Sequence, residues 1–141
     1  MDLMLVLVIL LLFILSYQVF IKTNRTFKES DSPMVKKIKD YFAKINPDYA
    51  KIPIQEGTES YTEDKQVITL CLKDPQGNYY SMNTIVYVAL HELAHVLSPV
   101  YDNNHGKEFK EEFMKLLNKA IQLGIYNPNI PMPPTYCGIA H

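Results

Sequence analysis

The stretch Asn83-Thr84-Ile85-Val86-Tyr87-Val88-Ala89-Leu90-His91-Glu92-Leu93-Ala94-His95-Val96-Leu97 decides the reading of this chain. Its apolar residues and the Ser98-Pro99 pair that stops it predict a helix over residues 84–97, with Asn83 as its cap. Two His at i and i+4 lie on one face with Cβ atoms about 5–6 Å apart, so both imidazoles can reach one Zn²⁺ at about 2.0–2.1 Å. Glu92 is turned about 100° from His91. Its carboxylate can border the metal without ligating it, which is where a general base for a zinc-bound water must stand. On the same wheel Val86, Leu90, Leu93 and Leu97 fall opposite the histidines, so one face packs while the other lines a cleft. With four His and eight Glu in 141 residues, the pattern is expected by chance roughly 0.006 times.

Downstream, a zinc hydrolase needs a third protein ligand and an open fourth position. His105, followed by Gly106-Lys107-Glu108-Phe109, is the first candidate; Glu108, Glu111 and Glu112 are alternatives. A helix over residues 106–123 places Phe109, Phe113, Leu116, Leu117 and Ala120 on one apolar face, with Gly124 as C-cap. Packing that face on the metal helix brings His105 back towards the metal. Tyr87 and Tyr101 are candidates for polarising a carbonyl, with packing the plainer role for both. His141 reads as a solvated terminus.

Upstream, residues 66–72 (Gln-Val-Ile-Thr-Leu-Cys-Leu) form the best strand, alternating Ile68, Leu70 and Leu72 against Val67, Thr69 and Cys71. Asp74-Pro75-Gln76-Gly77 is a turn by composition. Ile52 and Ile54 flank a Pro and suggest a short edge strand, and residues 57–64 read as loop. A first helix starts at the Ser32 cap with Pro33 at its first position. It carries Val35, Ile38, Phe42 and Ile45 on one face and ends at Asn46-Pro47. The tail, residues 127–141, holds four prolines and reads as an irregular extended segment.

Furthest out, residues 3–21 contain no charge, and only Ser16, Tyr17 and Gln18 are not aliphatic or Phe. Nineteen residues at about 1.5 Å rise span roughly 28 Å, the length of one bilayer crossing. No basic segment precedes this stretch and no small-x-small site follows Ile14, so an uncleaved anchor is expected rather than a secretory signal. Residues 22–40 carry Lys22, Arg25, Lys28, Lys36, Lys37 and Lys39 against Glu29, Asp31 and Asp40. The positive-inside tendency therefore predicts an N-out, C-in topology. The juxtamembrane lysines are placed to touch anionic lipid. Asn24-Arg25-Thr26 matches the glycosylation pattern by chance under that topology. Cys71 and Cys137 agree with a reducing compartment, Cys137 reading as a buried or idle thiol rather than a fourth ligand. All fourteen Lys and Arg follow the apolar stretch, against fourteen acids there. The soluble part is formally neutral, and nothing in it advertises a nucleic-acid surface.

The run Cys71-Leu72-Lys73-Asp74, then Asn78 to His95 with its His-Glu-Leu-Ala-His core, then His105-Gly106-Lys107-Glu108-Phe109 resembles the minimal zinc metallopeptidase core of the WLM and SprT-like families, over about residues 66–120. The resemblance implies His91, His95 and His105 as metal ligands and Glu92 as catalytic base. Nine residues separate His95 from His105, nearer to the SprT-like spacing than to the shorter WLM one. A metzincin would need Gly at position 98 and His at 101, where this chain has Ser98 and Tyr101, and that class is excluded. The short anchored form is associated with large DNA viruses, and thirteen Lys to one Arg suits an AT-rich genome.

The expected fold class is α+β: an N-terminal transmembrane helix, then a small zincin-like domain of about three helices and a small sheet. Residues 1–21 are the anchor, 22–32 a juxtamembrane tether, 33–126 the metallopeptidase domain and 127–141 the Pro-rich tail. The expected function is that of a membrane-anchored zinc endopeptidase in which Glu92 takes the proton of a zinc-activated water. The alternative is a zinc-stabilised structural or tethering module of a membrane-containing particle. The expected partners are a protein or peptide substrate, Zn²⁺ and, through residues 3–21, a lipid bilayer, with no nucleic acid.

Overall fold

The structure, a computed structural model, describes residues 1–23, 29–99, 105–137 and 139–140. The Asn24-Arg25-Thr26 match, Tyr101 and His141 lie outside the described residues. Among those described, the chain is mixed helix and sheet, with four α-helices, a short 3₁₀ turn, a three-stranded sheet and a two-stranded hairpin.

Helix α1 (Leu3–Thr23) is long and apolar enough to cross a membrane, with a mean hydropathy of 2.8 over Leu3–Lys22. Its Leu, Ile and Phe side chains stand exposed. A helix that is apolar all round needs an apolar surround, so by length and composition α1 is a candidate span.

Helix α2 (Pro33–Ile45) starts as its sequence dictates. The Ser32 hydroxyl accepts the Met34 amide at 3.2 Å, and Pro33 occupies the first turn. Val35, Ile38 and Phe42 are buried. Asn46 leaves the helix in extended conformation and its side chain accepts the Asp48 amide at 3.0 Å, starting the 3₁₀ turn Pro47–Lys51. Upstream of α2, the Ser30 amide donates to the Ile54 carbonyl (3.0 Å) and the Ser30 hydroxyl to Glu56 (2.7 Å). Lys39 pairs with Glu29. The end of the expected tether is thus held against the sheet.

The sheet has the order β1-β3-β2, with β1 (Ile54–Glu56) parallel and β2 (Tyr61–Glu63) antiparallel to the central β3 (Val67–Leu70). Strand β1 is the edge strand expected beside Pro53. Strand β2 corrects the reading of residues 57–64 as loop. It returns to β3 through a turn in which Asp64 (φ 49°) and Lys65 (φ 55°) both take the left-handed conformation, closed by the Gln66 amide on the Glu63 carbonyl (3.0 Å). Such tight turns usually announce themselves by Asn-Gly or Asp-Gly; Asp64-Lys65 carries no glycine. The alternation in β3 does not separate a dry face from a wet one, because Ile68, Thr69, Leu70 and Cys71 are all buried.

The tail is the second correction. It is not irregular to its end: β4 (Thr135–Tyr136) pairs with β5 (Ile139–Ala140). Cys137 is not an idle thiol either. Cys71 and Cys137 form a disulfide across 66 residues of sequence, with Cα atoms 6.4 Å apart. The pairing follows from Tyr136, whose ring is buried (5% exposed) and whose hydroxyl donates to the Cys71 carbonyl, laying the next residue beside β3. Free thiols suiting a reducing compartment are therefore not what the fold contains.

Candidate metal centre

Helix α3 (Met82–Leu97) is the central element, with Ile85, Val86, Ala89, Leu90, Leu93 and Ala94 all nearly inaccessible. Its cap is Ser81 rather than Asn83: the Ser81 hydroxyl accepts the Thr84 amide at 3.2 Å. Asn83, two residues on, exchanges two hydrogen bonds with the backbone of Asn127 (2.8 and 3.1 Å). The Ser98 amide closes the helix on the Ala94 carbonyl. His91 and His95 stand half-buried on the face of α3 that meets Phe109 of helix α4 (Lys107–Gln122).

Helix α4 starts directly after Gly106 and buries Phe109, Leu116, Leu117 and Ala120. Phe109 brings the third imidazole in. Its ring centre lies 4.9 Å from that of His91, 4.3 Å from His95 and 4.8 Å from His105, so one phenyl ring underlies all three. The three imidazole centres form a nearly equilateral triangle with sides of 5.1, 4.9 and 5.0 Å. Their ligand nitrogens all lie within 4.8 Å of one another. The Nε2 atoms of His91 and His105 are 3.1 Å apart.

The ring-centre spacings and the His91–His105 nitrogen pair match those of a shared metal, while the 4.8 Å outer spread of the nitrogens is wider than a bound ion would draw them. Two nitrogens at about 2.05 Å from a tetrahedral zinc stand about 3.3 Å apart, and the ring centres behind them about 5 Å apart. Charge agrees. Burial, followed by the neighbouring His95 and His105, lowers the His91 pKa to about 4. Burial first, then His105 and Lys65, lowers that of His95. Both imidazoles are neutral at pH 7 and offer a lone pair, the form a metal takes. The structure brings together His91, His95 and His105. The acids weighed beside His105 stay on the solvent side of α4, where Glu111 faces Lys107 (3.9 Å) and Glu112 faces Lys115 (3.3 Å), while Glu108 is exposed.

Glu92 is 6% exposed, and burial raises its carboxyl to a pKa of about 6 despite a hydrogen bond from Thr62 that opposes the shift. The Thr62 hydroxyl lies 2.8 Å from Glu92 Oε2 and 3.0 Å from the Glu92 carbonyl oxygen. Thr62 went unnoticed in sequence because it sits in β2, and only the β2–β3 pairing carries it to α3. Phe109 was legible as a core residue but not as the floor beneath the imidazoles. Tyr87 packs on Phe113 (5.2 Å) and Tyr126 (5.7 Å), the packing role expected of it. Three imidazoles beside a buried carboxyl group can hold a divalent cation and accept a proton next to it.

The chain is 41% identical over 91 residues to the uncharacterized protein 136R of Invertebrate iridescent virus 6, a match covering 62% of this chain and 50% of that protein. It is 40% identical over 92 residues to the uncharacterized protein 042R of Invertebrate iridescent virus 3, covering 64% and 57%. It is 35% identical over 111 residues to the uncharacterized protein R325 of Acanthamoeba polyphaga mimivirus, covering 72% and 55%. The chain spans about half the length of the curated relatives it matches, and these likenesses support a viral protein. No protein-family model matches it. No solved structure matches it either.

Proposed function

We propose that the chain is a membrane-anchored, zinc-dependent endopeptidase with a WLM/SprT-like, zincin-type core. The observation that carries this reading is the convergence of His91, His95 and His105 into a triangle of metal-binding size with the buried Glu92 carboxylate beside it. A zinc ion held by these three histidines would supply Lewis acidity to a water and to the scissile carbonyl. Glu92 accepts the proton of the attacking water and returns it to the leaving amine. Thr62 holds the carboxylate in place for both transfers. Phe109 and the α3 stripe keep the imidazoles oriented and exclude water from behind them.

Residues 3–21 anchor the domain in a bilayer. The basic flank in residues 22–40 supports an N-out, C-in orientation. The Cys71–Cys137 bond argues for the opposite side, since cytosolic thiols are kept reduced. Protease protection on membrane vesicles decides between them: a domain shielded within the lumen overturns the N-out, C-in orientation.

Glu92→Gln tests the mechanism. The variant should bind one zinc per chain, as the parent does, and lose cleavage of a denatured protein substrate by about 10²–10⁴-fold. Equal cleavage by parent and variant refutes the role of Glu92. Zinc binding without turnover in the parent would instead favour a structural or tethering module of a viral membrane.

A further inference from the structure

A cavity of about 310 Å³ opens beside His91 and Glu92. One side is α3, through Tyr87, Val88, His91 and Glu92; the other is the C-terminal segment, through Met132 and Tyr136. That segment is tied at both ends. At its start the Asn127 amide donates to Asn83 Oδ1 (2.8 Å) and Asn83 Nδ2 donates to the Asn127 carbonyl (3.1 Å). At its end the Cys71–Cys137 disulfide joins it to the end of β3, and the Cys137 amide donates to the Tyr80 hydroxyl (2.7 Å). Tyr80 also packs on Tyr136, with ring centres 4.8 Å apart.

The far wall is polar in composition but closed in its hydrogen bonding. The Ser60 hydroxyl donates to Tyr136 Oη (2.8 Å), the Tyr136 hydroxyl donates to the Cys71 carbonyl, and the Cys71 amide donates back to Ser60 Oγ (2.9 Å). That ring of bonds leaves Val88, Met132 and the Tyr87 and Tyr136 rings as the surface an occupant meets. Glu59 stands exposed at the rim and repels acidic groups. The volume is at the low end of the roughly 300–1,000 Å³ typical of ligand pockets, a size for a side chain rather than an extended cofactor. His91 and Glu92 belong to this wall and to the metal centre alike, so whatever fills the cavity lies next to the reacting carbonyl.

We propose that this cavity takes one bulky apolar side chain of the peptide substrate, adjoining the bond that is cut, and that the disulfide-held tail is the wall that sets this selectivity. The proposal rests on the peptidase reading of the same site. It requires the tail to be fixed, because a wall free to move away would present open solvent in place of Met132.

The test uses the full-length, oxidised, zinc-loaded chain in detergent micelles. Isothermal titration with peptide hydroxamates that differ only in a Gly, Leu, Phe or Glu side chain reads the cavity without turnover, and cleavage-site profiling of a denatured protein digest reads it during turnover. The Leu and Phe compounds should bind at least about tenfold more tightly than the Gly compound, with Glu no tighter than Gly, and cleavage sites should be flanked by bulky apolar residues. Met132→Trp, which fills the cavity, and Cys137→Ser, which frees the wall, should each bring the Leu-to-Gly ratio towards one. Met132→Ala, which enlarges the cavity without threatening the fold, should shift preference from Leu to Phe. Equal binding of the Gly and Leu compounds, binding of none, or ratios unchanged in all three variants overturns the proposal. A preference for Leu without cleavage of any peptide leaves the cavity assigned and refutes the peptidase reading; cleavage without side-chain preference does the reverse.

Discussion

Thr62→Val is the sharpest probe of how the site is assembled. The substitution keeps the shape and β-branching of the side chain and removes only the hydroxyl that lies 2.8 Å from Glu92 Oε2. A hydrogen bond to a charged group contributes about 1.5–3 kcal/mol, and each 1.36 kcal/mol is tenfold. If that bond holds the carboxylate where it takes a proton from water, its loss should cut kcat by about 10- to 150-fold. KM should change little, since Thr62 belongs to neither the imidazole triangle nor the cavity wall. Zinc affinity, measured by competition with a chromophoric chelator, should stay within about threefold because no ligand is touched. Thr62→Ser restores the hydroxyl and should recover most of the rate. The assay is steady-state hydrolysis of an internally quenched peptide by the zinc-loaded full chain. A Thr62→Val variant that keeps kcat within twofold refutes the positioning role, as does a Thr62→Ser variant that is equally impaired.

Other outcomes follow from the same geometry. His105→Ala removes one corner of the triangle and should weaken zinc binding by more than about a hundredfold, beyond what loss of an outer-sphere partner costs; retention of wild-type affinity would mean that His105 is not a ligand. Cys137→Ser opens a loop of 66 residues, and on the chain-entropy account the oxidised protein should lose up to about 4 kcal/mol of stability, read as a lower urea midpoint. No shift between oxidised parent and variant would show that the bond does not form in solution. Gly57→Ala places a Cβ 2.6 Å from Thr69 Cγ2 at the buried centre of the sheet, so overpacking should lower stability by about 1–3 kcal/mol; an unchanged Tm would contradict that packing.

Much of the fold was legible because it follows local rules. The caps, prolines and 3.6-residue periodicity of α2, α3 and α4 are properties of consecutive residues, and they place these helices within one or two positions of where they lie. The His91-Glu92-His95 spacing is equally local, since a helix puts i and i+4 on one face whatever surrounds it. His105 was legible as a candidate because the apolar face of α4, led by Phe109, had to pack somewhere. Strand β2 was not legible, because Asp64-Lys65 makes a left-handed turn without glycine. Everything hanging on β2 was hidden with it, above all the Thr62 bond to Glu92.

The sequence by itself determined an apolar segment of bilayer length, a metal-competent helix and an amphipathic partner for it. Each needs only the periodicity of neighbouring residues and the burial of their apolar faces. Tertiary structure alone decided that three imidazoles close into one triangle over Phe109, and that a threonine on a neighbouring strand holds the buried carboxylate. It also decided that the tail returns to β3 through Tyr136 and a disulfide to wall the cavity beside the site. The His91–His105, Thr62–Glu92 and Cys71–Cys137 contacts join residues 14, 30 and 66 positions apart, and only the packing of the core brings such residues within reach of one another.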